Sequence, residues 1–176
     1  MQEPFKYLTR VNRMLLLATI AMASTVTSVY AQPAQAPKVL ARGGGKTIIQ
    51  GGTGLAGGFV PVITTIAFHA ERQGQAVSGD FECLALVPAV PTGNGSGQFT
   101  VNAMYVTGQI TSVVVAGETA TLQGTATITG LGAGTNVPFT FVVRKGGPGS
   151  TAVLTASGLT FNEILLEGSF EVAGDD

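Results

Sequence analysis

Residues 118–130 read ETATLQGTATITG, and this stretch alternates strictly between two kinds of side chain. Even-numbered positions from 120 to 128 carry Ala, Leu, Gly, Ala and Ile, whereas the odd-numbered positions from 119 to 129 carry Thr or Gln. Successive side chains of a β-strand point to opposite faces. The pattern therefore predicts a strand with one apolar face and one solvated face of Thr, a residue that suits sheets.

Stretches on both sides of this one show the same alternation and are separated by Gly-rich turns. No convincing helical spacing of three or four residues follows residue 31. The chain therefore predicts an all-β fold of about eight to ten antiparallel strands. The other predicted strands are Val60–Ala70, Gln75–Val87, Gln98–Thr107, Gln109–Ala116, 137–143, Thr151–Ser157 and Leu159–Val172.

Two architectures fit this strand pattern, because alternation alone does not distinguish them. We expect an antiparallel β-sandwich, and the alternative is a closed β-barrel. The chain has no Trp, and Ala, Val and Gly are abundant on the predicted inner faces. Small inner residues predict a tightly filled core without a large ligand cavity, which argues against a lipocalin-like carrier.

The last predicted strand, Leu159–Val172, divides into an apolar set and an acidic set of residues. We expect the apolar set to face the core and the acidic set to face solvent. Gly168 lies inside this strand and predicts a bulge or bend. The apolar set is Ile164, Leu166, Phe170 and Val172, and the acidic set is Glu163, Glu167 and Glu171.

The first 31 residues have the three parts of a secretory signal peptide. A basic head precedes an apolar run from Met14 to about Val29, and a small-residue cleavage site ends at Ala31. The run is diluted by hydroxyl residues and falls short of the ~20 apolar residues of a membrane-spanning helix. It has no Cys for lipidation, and the C-terminus has no hydrophobic tail. We expect a secreted protein, periplasmic or extracellular, with no stable membrane anchor after cleavage.

Composition divides the chain into a signal peptide (1–31), a flexible leader (32–46) and a single all-β domain (47–176). The leader contains two Pro and three consecutive Gly, and it shows no periodicity. Beyond residue 31 the chain has six basic and nine acidic residues. So few cations argue against nucleic-acid binding, which depends on several Lys or Arg contacts with phosphate.

Cys83 is the only cysteine, so the chain cannot form an intramolecular disulfide. Alternation in residues 81–85 places Cys83 on the same face as Phe81 and Ala85, opposite Asp80 and Glu82. We therefore expect Cys83 to be buried as a small hydrophobic residue. Pairing with another chain is the alternative.

Two segments resemble a Gly- and Thr-rich β-module of exported bacterial proteins, the post-COAP domain. They are residues 113–130 (VVVAGETATLQGTATITG) and 138–143 (PFTFVV), the latter running into the turn GGPG at 146–149. The resemblance covers roughly a third of the chain and implies an exported, functionally uncharacterised accessory domain with no activity attached. Acidic residues flank this turn in the module, whereas Arg144, Lys145 and Ser150 stand here, so the resemblance implies no cation site.

No constellation for catalysis, cofactor binding or metal binding emerges from the motifs. His69 is the only histidine and is expected at a strand end; a zinc site needs three or four nitrogen or sulfur ligands. Residues 43–47 (GGGKT) lack the first Gly of a phosphate-binding loop, because Leu40 occupies that position. Residues 93–97 (GNGSG) place Asn94 where a nucleophile elbow needs Gly.

Three classes of function stay open at this point. The first is a non-enzymatic structural or interaction module of the cell envelope or extracellular space, acting through self-association or an envelope protein partner. The second binds a carbohydrate or other small ligand with loops 88–97 and 145–149, and with Phe59 or Tyr105 as stacking aromatics.

The third class is a hydrolase that uses a pair of carboxylates. The acidic residues instead fit a solvated outer face, and we expect no enzyme. A loop calcium site that includes Asp175 or Asp176 is the remaining metal alternative.

Overall fold

The structure, a computed structural model, describes residues 36–52, 62–88 and 99–173. This part of the chain forms eight β-strands and no helix, which confirms the all-β prediction. Within it, no helix has the length and apolar character to cross a membrane. The strands are β1 (Lys38–Gly52), β2 (Ile63–Gln73), β3 (Ala76–Pro88), β4 (Phe99–Ala116), β5 (Thr119–Gly130), β6 (Gly134–Arg144), β7 (Thr151–Ala156) and β8 (Leu159–Val172).

Each strand pairs antiparallel with the next one in sequence, and β8 pairs with β1 to close a barrel. The predicted sandwich is therefore wrong, and the barrel alternative is confirmed. Both architectures have strands with one apolar face, so they share the alternation seen in the sequence. Pairing between the first and last strands distinguishes them, because it leaves no edge strand.

β1 begins at Lys38, so residues 38–46 are not the predicted flexible leader. The three glycines at 43–45 lie in the middle of β1, where Gly44 pairs with Ala67 of β2 and Ser169 of β8. A Cβ atom on Gly43 would lie 2.5 Å from the backbone oxygen of Ser169. The glycine run therefore allows a close approach of β8 rather than a flexible linker.

β4 runs without interruption from Phe99 to Ala116, whereas the sequence predicted two strands divided at Gly108. Gly108 is buried in the middle of this strand, opposite Phe81 of β3. A Cβ atom at this position would lie 2.7 Å from the ring of Phe139. Gly108 is therefore a strand residue that makes room for an aromatic ring.

Phenylalanine side chains from four strands meet inside the barrel. Phe81 stacks on Phe139 with ring centroids 5.0 Å apart, and it also packs against Phe141 at 4.8 Å. Phe68 contacts Phe141 at 5.4 Å and Phe170 at 5.7 Å. These buried rings fill the middle of the barrel, and aromatic pairs at such distances add to the stability gained by burial.

β8 changes its inward face partway along its length. Its pairing with β1 shifts register between Lys46, which opposes Glu167, and Thr47, which opposes Leu165. Glu163 and Leu165 are consequently buried before the shift, whereas Leu166 is 48% exposed. The bulge lies at Leu166, two residues from the predicted position at Gly168. The predicted outward position of Glu163 and the predicted inward positions of Ile164 and Leu166 are wrong, because Ile164 lies between the buried residues Glu163 and Leu165 and so belongs to the opposite face.

The remaining face assignments agree with the sequence patterns within the described residues. The apolar face of β5 points inward, and Cys83 is buried with 3% of its surface exposed. The signal peptide, Val60 and the last residues, Gly174–Asp176, lie outside the described residues.

Candidate functional site

The barrel encloses a buried polar cluster near one end. We call this the cavity end; there β1 ends at Gly52, β2 begins at Ile63 and β8 begins at Leu159. Three adjacent strands, β8, β1 and β2, supply Glu163, Thr47 and Thr64. These are the buried polar or charged residues of the described chain, each at most 2% exposed.

One oxygen of the Glu163 carboxyl group is held by both threonines. Its Oε2 atom accepts hydrogen bonds from the hydroxyl groups of Thr47 and Thr64, the second at 2.5 Å. The two hydroxyl groups also contact each other. The side chain of Glu163 is therefore fixed in the interior by one of its two oxygens.

The other oxygen, Oε1, is buried without a hydrogen-bond partner among the described residues. Glu163 and Thr64 are among the residues that line a nearby cavity of about 40 Å³. Apolar side chains form most of its wall, among them Met104, Leu154 and Phe161. An unpaired buried polar atom costs roughly 1–3 kcal/mol, so this arrangement calls for a partner of Oε1.

Burial raises the pKa of the Glu163 carboxyl, and the hydrogen bonds from Thr47 and Thr64 oppose part of this rise. Cys83 lines the same cavity, and burial raises the pKa of its thiol, with a smaller contribution from Glu163. Both side chains therefore favour their neutral forms. A buried thiol of this kind lacks the thiolate character of a nucleophile.

The barrel also has a surface groove of about 600 Å³, which we call the outer groove. Its lining residues come from β1 to β6, and they include outward-facing side chains of β2 to β5. None of the described lining residues is Lys or Arg. The polar side chains are His69, Asp80, Glu82, Thr107, Gln109, Thr125, Thr127 and Asn136.

Strand register arranges the polar groups of the outer groove in two rows. In one row His69, Asp80 and Gln109 lie opposite one another on β2, β3 and β4. The amide of Gln109 donates a hydrogen bond to Asp80 at 2.6 Å. In the second row Glu82, Thr107 and Thr127 lie opposite one another on β3, β4 and β5. Glu82 also accepts a hydrogen bond from the phenol of Tyr105, and this bond raises the pKa of Tyr105.

The structure separates the acidic residues that the sequence placed on one solvated face. Glu167 pairs with Lys46 at 3.0 Å and Glu171 pairs with Arg42 at 2.7 Å, both on the exposed surface as predicted. Asp80 and Glu82 lie in the outer groove. Glu163 alone among the described acidic residues is buried.

The residues predicted for ligand binding are distributed over the barrel. Tyr105 borders the outer groove through its contact with Glu82, while Phe59 and residues 89–97 lie outside the described residues. The turn at 145–149 pairs with β8 instead, through two hydrogen bonds between Gly146 and Phe170. His69 is exposed and lies within β2, not at the end of a strand as predicted.

The outer groove and the buried carboxyl were both missed by sequence reasoning. A local signal for Glu163 existed, because Phe161 and Leu165 flank it at a spacing of two. The groove had no such signal, since it depends on the register of four strands. Among the described residues, no three His, Cys, Asp or Glu side chains lie close enough together to hold a metal ion.

Protein-family models, curated proteins and solved structures were each compared with this chain, and none of the three comparisons found a match.

Proposed function

We propose that the protein is an exported, non-enzymatic interaction module of the cell envelope or extracellular space, and that it binds carbohydrate in the outer groove. The observation that carries this proposal is the row formed by His69, Asp80 and Gln109 in the outer groove. In this row Gln109 is already hydrogen-bonded to Asp80 at 2.6 Å. Side chains fixed before binding lose little conformational entropy when a ligand arrives. The groove is therefore prepared for a polar ligand.

The chemistry of the groove favours a neutral, hydroxyl-rich ligand. Carboxylate, amide and hydroxyl groups together offer both donors and acceptors to sugar hydroxyls. Asp80 and Glu82 accept hydrogen bonds from such hydroxyls, and without a Lys or Arg in the described lining they disfavour anions. Asn136, at the groove, has a backbone φ of 54°. Asn is one of the few residues other than glycine that readily adopts this left-handed region.

A binding titration with neutral and uronic-acid-containing oligosaccharides tests the proposal. We expect neutral glycans to bind, and the variants Asp80→Ala and Gln109→Ala to weaken binding about tenfold or more. Glu171→Ala, on the exposed face of β8, is the matched control and keeps the affinity. A broad glycan array without any binding contradicts the carbohydrate assignment.

Two further measurements test the rest of the proposal. Mass spectrometry of the incubated oligosaccharides should show no cleavage; products that disappear in Glu82→Gln would instead support a carboxylate hydrolase. N-terminal sequencing of the protein recovered outside the cytoplasm should begin at Gln32. Sedimentation of the purified protein, with pull-downs from envelope fractions, tests for self-association and for a protein partner.

A further inference from the structure

Four large apolar side chains form a row on the outer surface of the barrel, near the cavity end. Ile48 of β1 pairs with Ile164 of β8 on one side and with Ile63 of β2 on the other, and Ile63 pairs with Leu86 of β3. Each of the four is half-buried, lies between inward-pointing neighbours and is not part of the hydrophobic core. Leu166, which is 48% exposed, follows this row on β8. We call the four paired residues the apolar row.

Beyond the apolar row, the outer face of β1 and β8 carries pairs of opposite charge. Lys46 lies opposite Glu167, with their side chains 3.0 Å apart, and Arg42 lies opposite Glu171 at 2.7 Å. All four side chains are more than half exposed. Exposed ion pairs contribute little to the stability of a single chain, so these groups are available for an additional role.

The order of these pairs makes the face complementary to itself. A two-fold axis that runs between β1 and β8, parallel to the strands, places each β1 residue opposite the β8 residue with which it pairs in its own chain. Ile48 of one copy then meets Ile164 of a second copy, and Lys46 and Arg42 meet carboxylates. A different partner would need to supply the same groups in the matching order, whereas a second copy supplies them by symmetry.

The distribution of charge favours this face over the outer groove as a contact between two copies. β1 carries Lys38, Arg42 and Lys46, which are three of the six basic residues beyond residue 31. The outer groove has Asp80 and Glu82 but no Lys or Arg in its described lining, so two copies that met there would repel each other. On the face of β1 and β8 the acidic residues are matched by cations.

We propose that the outer face of β1 and β8 binds a second copy of this chain, in a two-fold symmetric dimer whose cavity ends point the same way. This inference rests on the proposed function as an interaction module, and it names the surface and the partner. From residue 42 to residue 48 the face is about 20 Å long, and four strands are about 19 Å wide. This area is smaller than the ~800 Å² per partner of a standard interface, so we expect a weak dimer with a Kd on the order of 10 µM.

Sedimentation equilibrium of the purified protein, from about 1 µM to about 500 µM, tests for this dimer. We expect reversible association between monomer and dimer. Ile164→Lys places a charge in the apolar row and should weaken the dimer about tenfold or more. Val114→Lys is the matched control, because Val114 is a 62% exposed apolar residue on β4. It lies outside the proposed face and should leave the dimer intact.

A charge exchange distinguishes contact between copies from the ion pair within one chain. Lys46→Glu leaves two acidic groups at this position of the face, and Glu167→Lys leaves two basic groups. Each variant alone should be monomeric, because its copies bring like charges together. An equimolar mixture of the two should form a heterodimer, since each variant offers the opposite charge to the other. Loss of the ion pair within each chain cannot produce this result, and thermal unfolding confirms that both variants fold.

Three results would overturn the proposal. They are a monomer at every concentration, a dimer that Ile164→Lys leaves intact, and a mixture of the charge variants that stays monomeric. A dimer that none of these variants weakens would support self-association through another surface and refute this one. Asp80→Ala, in the outer groove, should leave the dimer unchanged, so glycan binding and dimer formation fail independently.

Discussion

The hydroxyl group of Thr64 lies 2.5 Å from Oε2 of Glu163, and both side chains are buried inside the barrel. Acidic side chains are rarely buried unless they are paired with a cation. Thr47 donates a hydrogen bond to the same oxygen, but the two hydroxyl groups offset only part of the effect of burial on the pKa of Glu163. A carboxyl group in such a setting is stable as the neutral acid and poorly tolerated as an anion.

The first prediction concerns the pH dependence of stability. The folded state raises the pKa of Glu163 above its ordinary value of 4.5, so at intermediate pH the folded chain binds a proton that the unfolded chain releases. The stabilisation is complete below pH 4.5 and is lost as the pH rises through the folded pKa. The free energy of unfolding should therefore fall, by at most about 1.4 kcal/mol per pH unit.

Urea unfolding of the unmodified chain and Glu163→Gln across this pH range isolates the effect. The variant has no titrating group at this position, so the difference between the two curves should change with pH. Glu171→Gln, which alters an exposed carboxylate, should follow the unmodified chain. Parallel curves for the unmodified chain and Glu163→Gln would show that Glu163 is not the group responsible.

A second prediction compares the stability effects of substitutions on the buried and the exposed face of β2. Thr64→Val keeps the shape of the side chain but removes a hydrogen bond to Glu163, which should cost about 1–2 kcal/mol. Thr65→Val is the matched control, because Thr65 is the next residue of β2 and its side chain is exposed on the outer face. It should change stability by less than about 0.5 kcal/mol. Urea unfolding at one pH compares the two variants.

The same substitution should move the titration of Glu163. The hydrogen bond from Thr64 lowers the pKa of this carboxyl, against the larger effect of burial. Its loss in Thr64→Val should therefore raise the pKa of Glu163 further, as followed by carbon NMR of the carboxyl group. A pKa that falls instead would contradict the assigned role of Thr64.

The third prediction concerns the contact of Gly108 with Phe139. A Cβ atom on Gly108 would lie 2.7 Å from the Phe139 ring and 3.3 Å from the side chain of Ala126. Gly108→Ala should therefore destabilise the barrel by about 1–3 kcal/mol through overpacking. Gly147→Ala is the control, since its nearest atom is 4.0 Å away. Thermal unfolding should separate them, and equal stability would refute the overpacking.

The strands were predicted from local sequence patterns, and such patterns report strand faces but not which strands pair. Alternation reports which face of a strand is buried, so β5 and the burial of Cys83 were predictable from neighbouring residues. Closure depends on pairing between β1 and β8, which are more than a hundred residues apart in sequence. No pattern within either strand encodes that pairing, so a sandwich and a barrel look alike.

Glycine explains two of the errors. At 43–45 a glycine run suggested a linker, yet in β1 it allows β8 to approach closely. Gly108 likewise suggested a strand boundary but accommodates the Phe139 ring. In both places glycine serves packing rather than chain reversal, and only the identity of its neighbours across the sheet distinguishes the two uses.

The fourth prediction concerns Tyr105. Its phenol donates a hydrogen bond to Glu82, which favours the protonated form and raises the pKa of Tyr105. Glu82→Gln removes the charge, so the pKa of Tyr105 should move back toward 10.0. Ultraviolet titration, with the signal of Tyr105→Phe subtracted, isolates this residue from the other tyrosines. An unchanged midpoint in Glu82→Gln would disprove the coupling.

The fifth prediction uses Cys83 as a reporter of barrel opening. The thiol is 3% exposed, and burial raises its pKa, so the folded chain should resist thiol reagents at mildly alkaline pH. Modification then requires an opening of the barrel, and its rate should rise in proportion to the open population. Thr64→Val should accelerate labelling by roughly five- to thirtyfold, because 1–2 kcal/mol changes a population by this factor. Thr65→Val should label as slowly as the unmodified chain. Rapid labelling of the folded protein would place the thiol at the surface and contradict the closed barrel around Cys83.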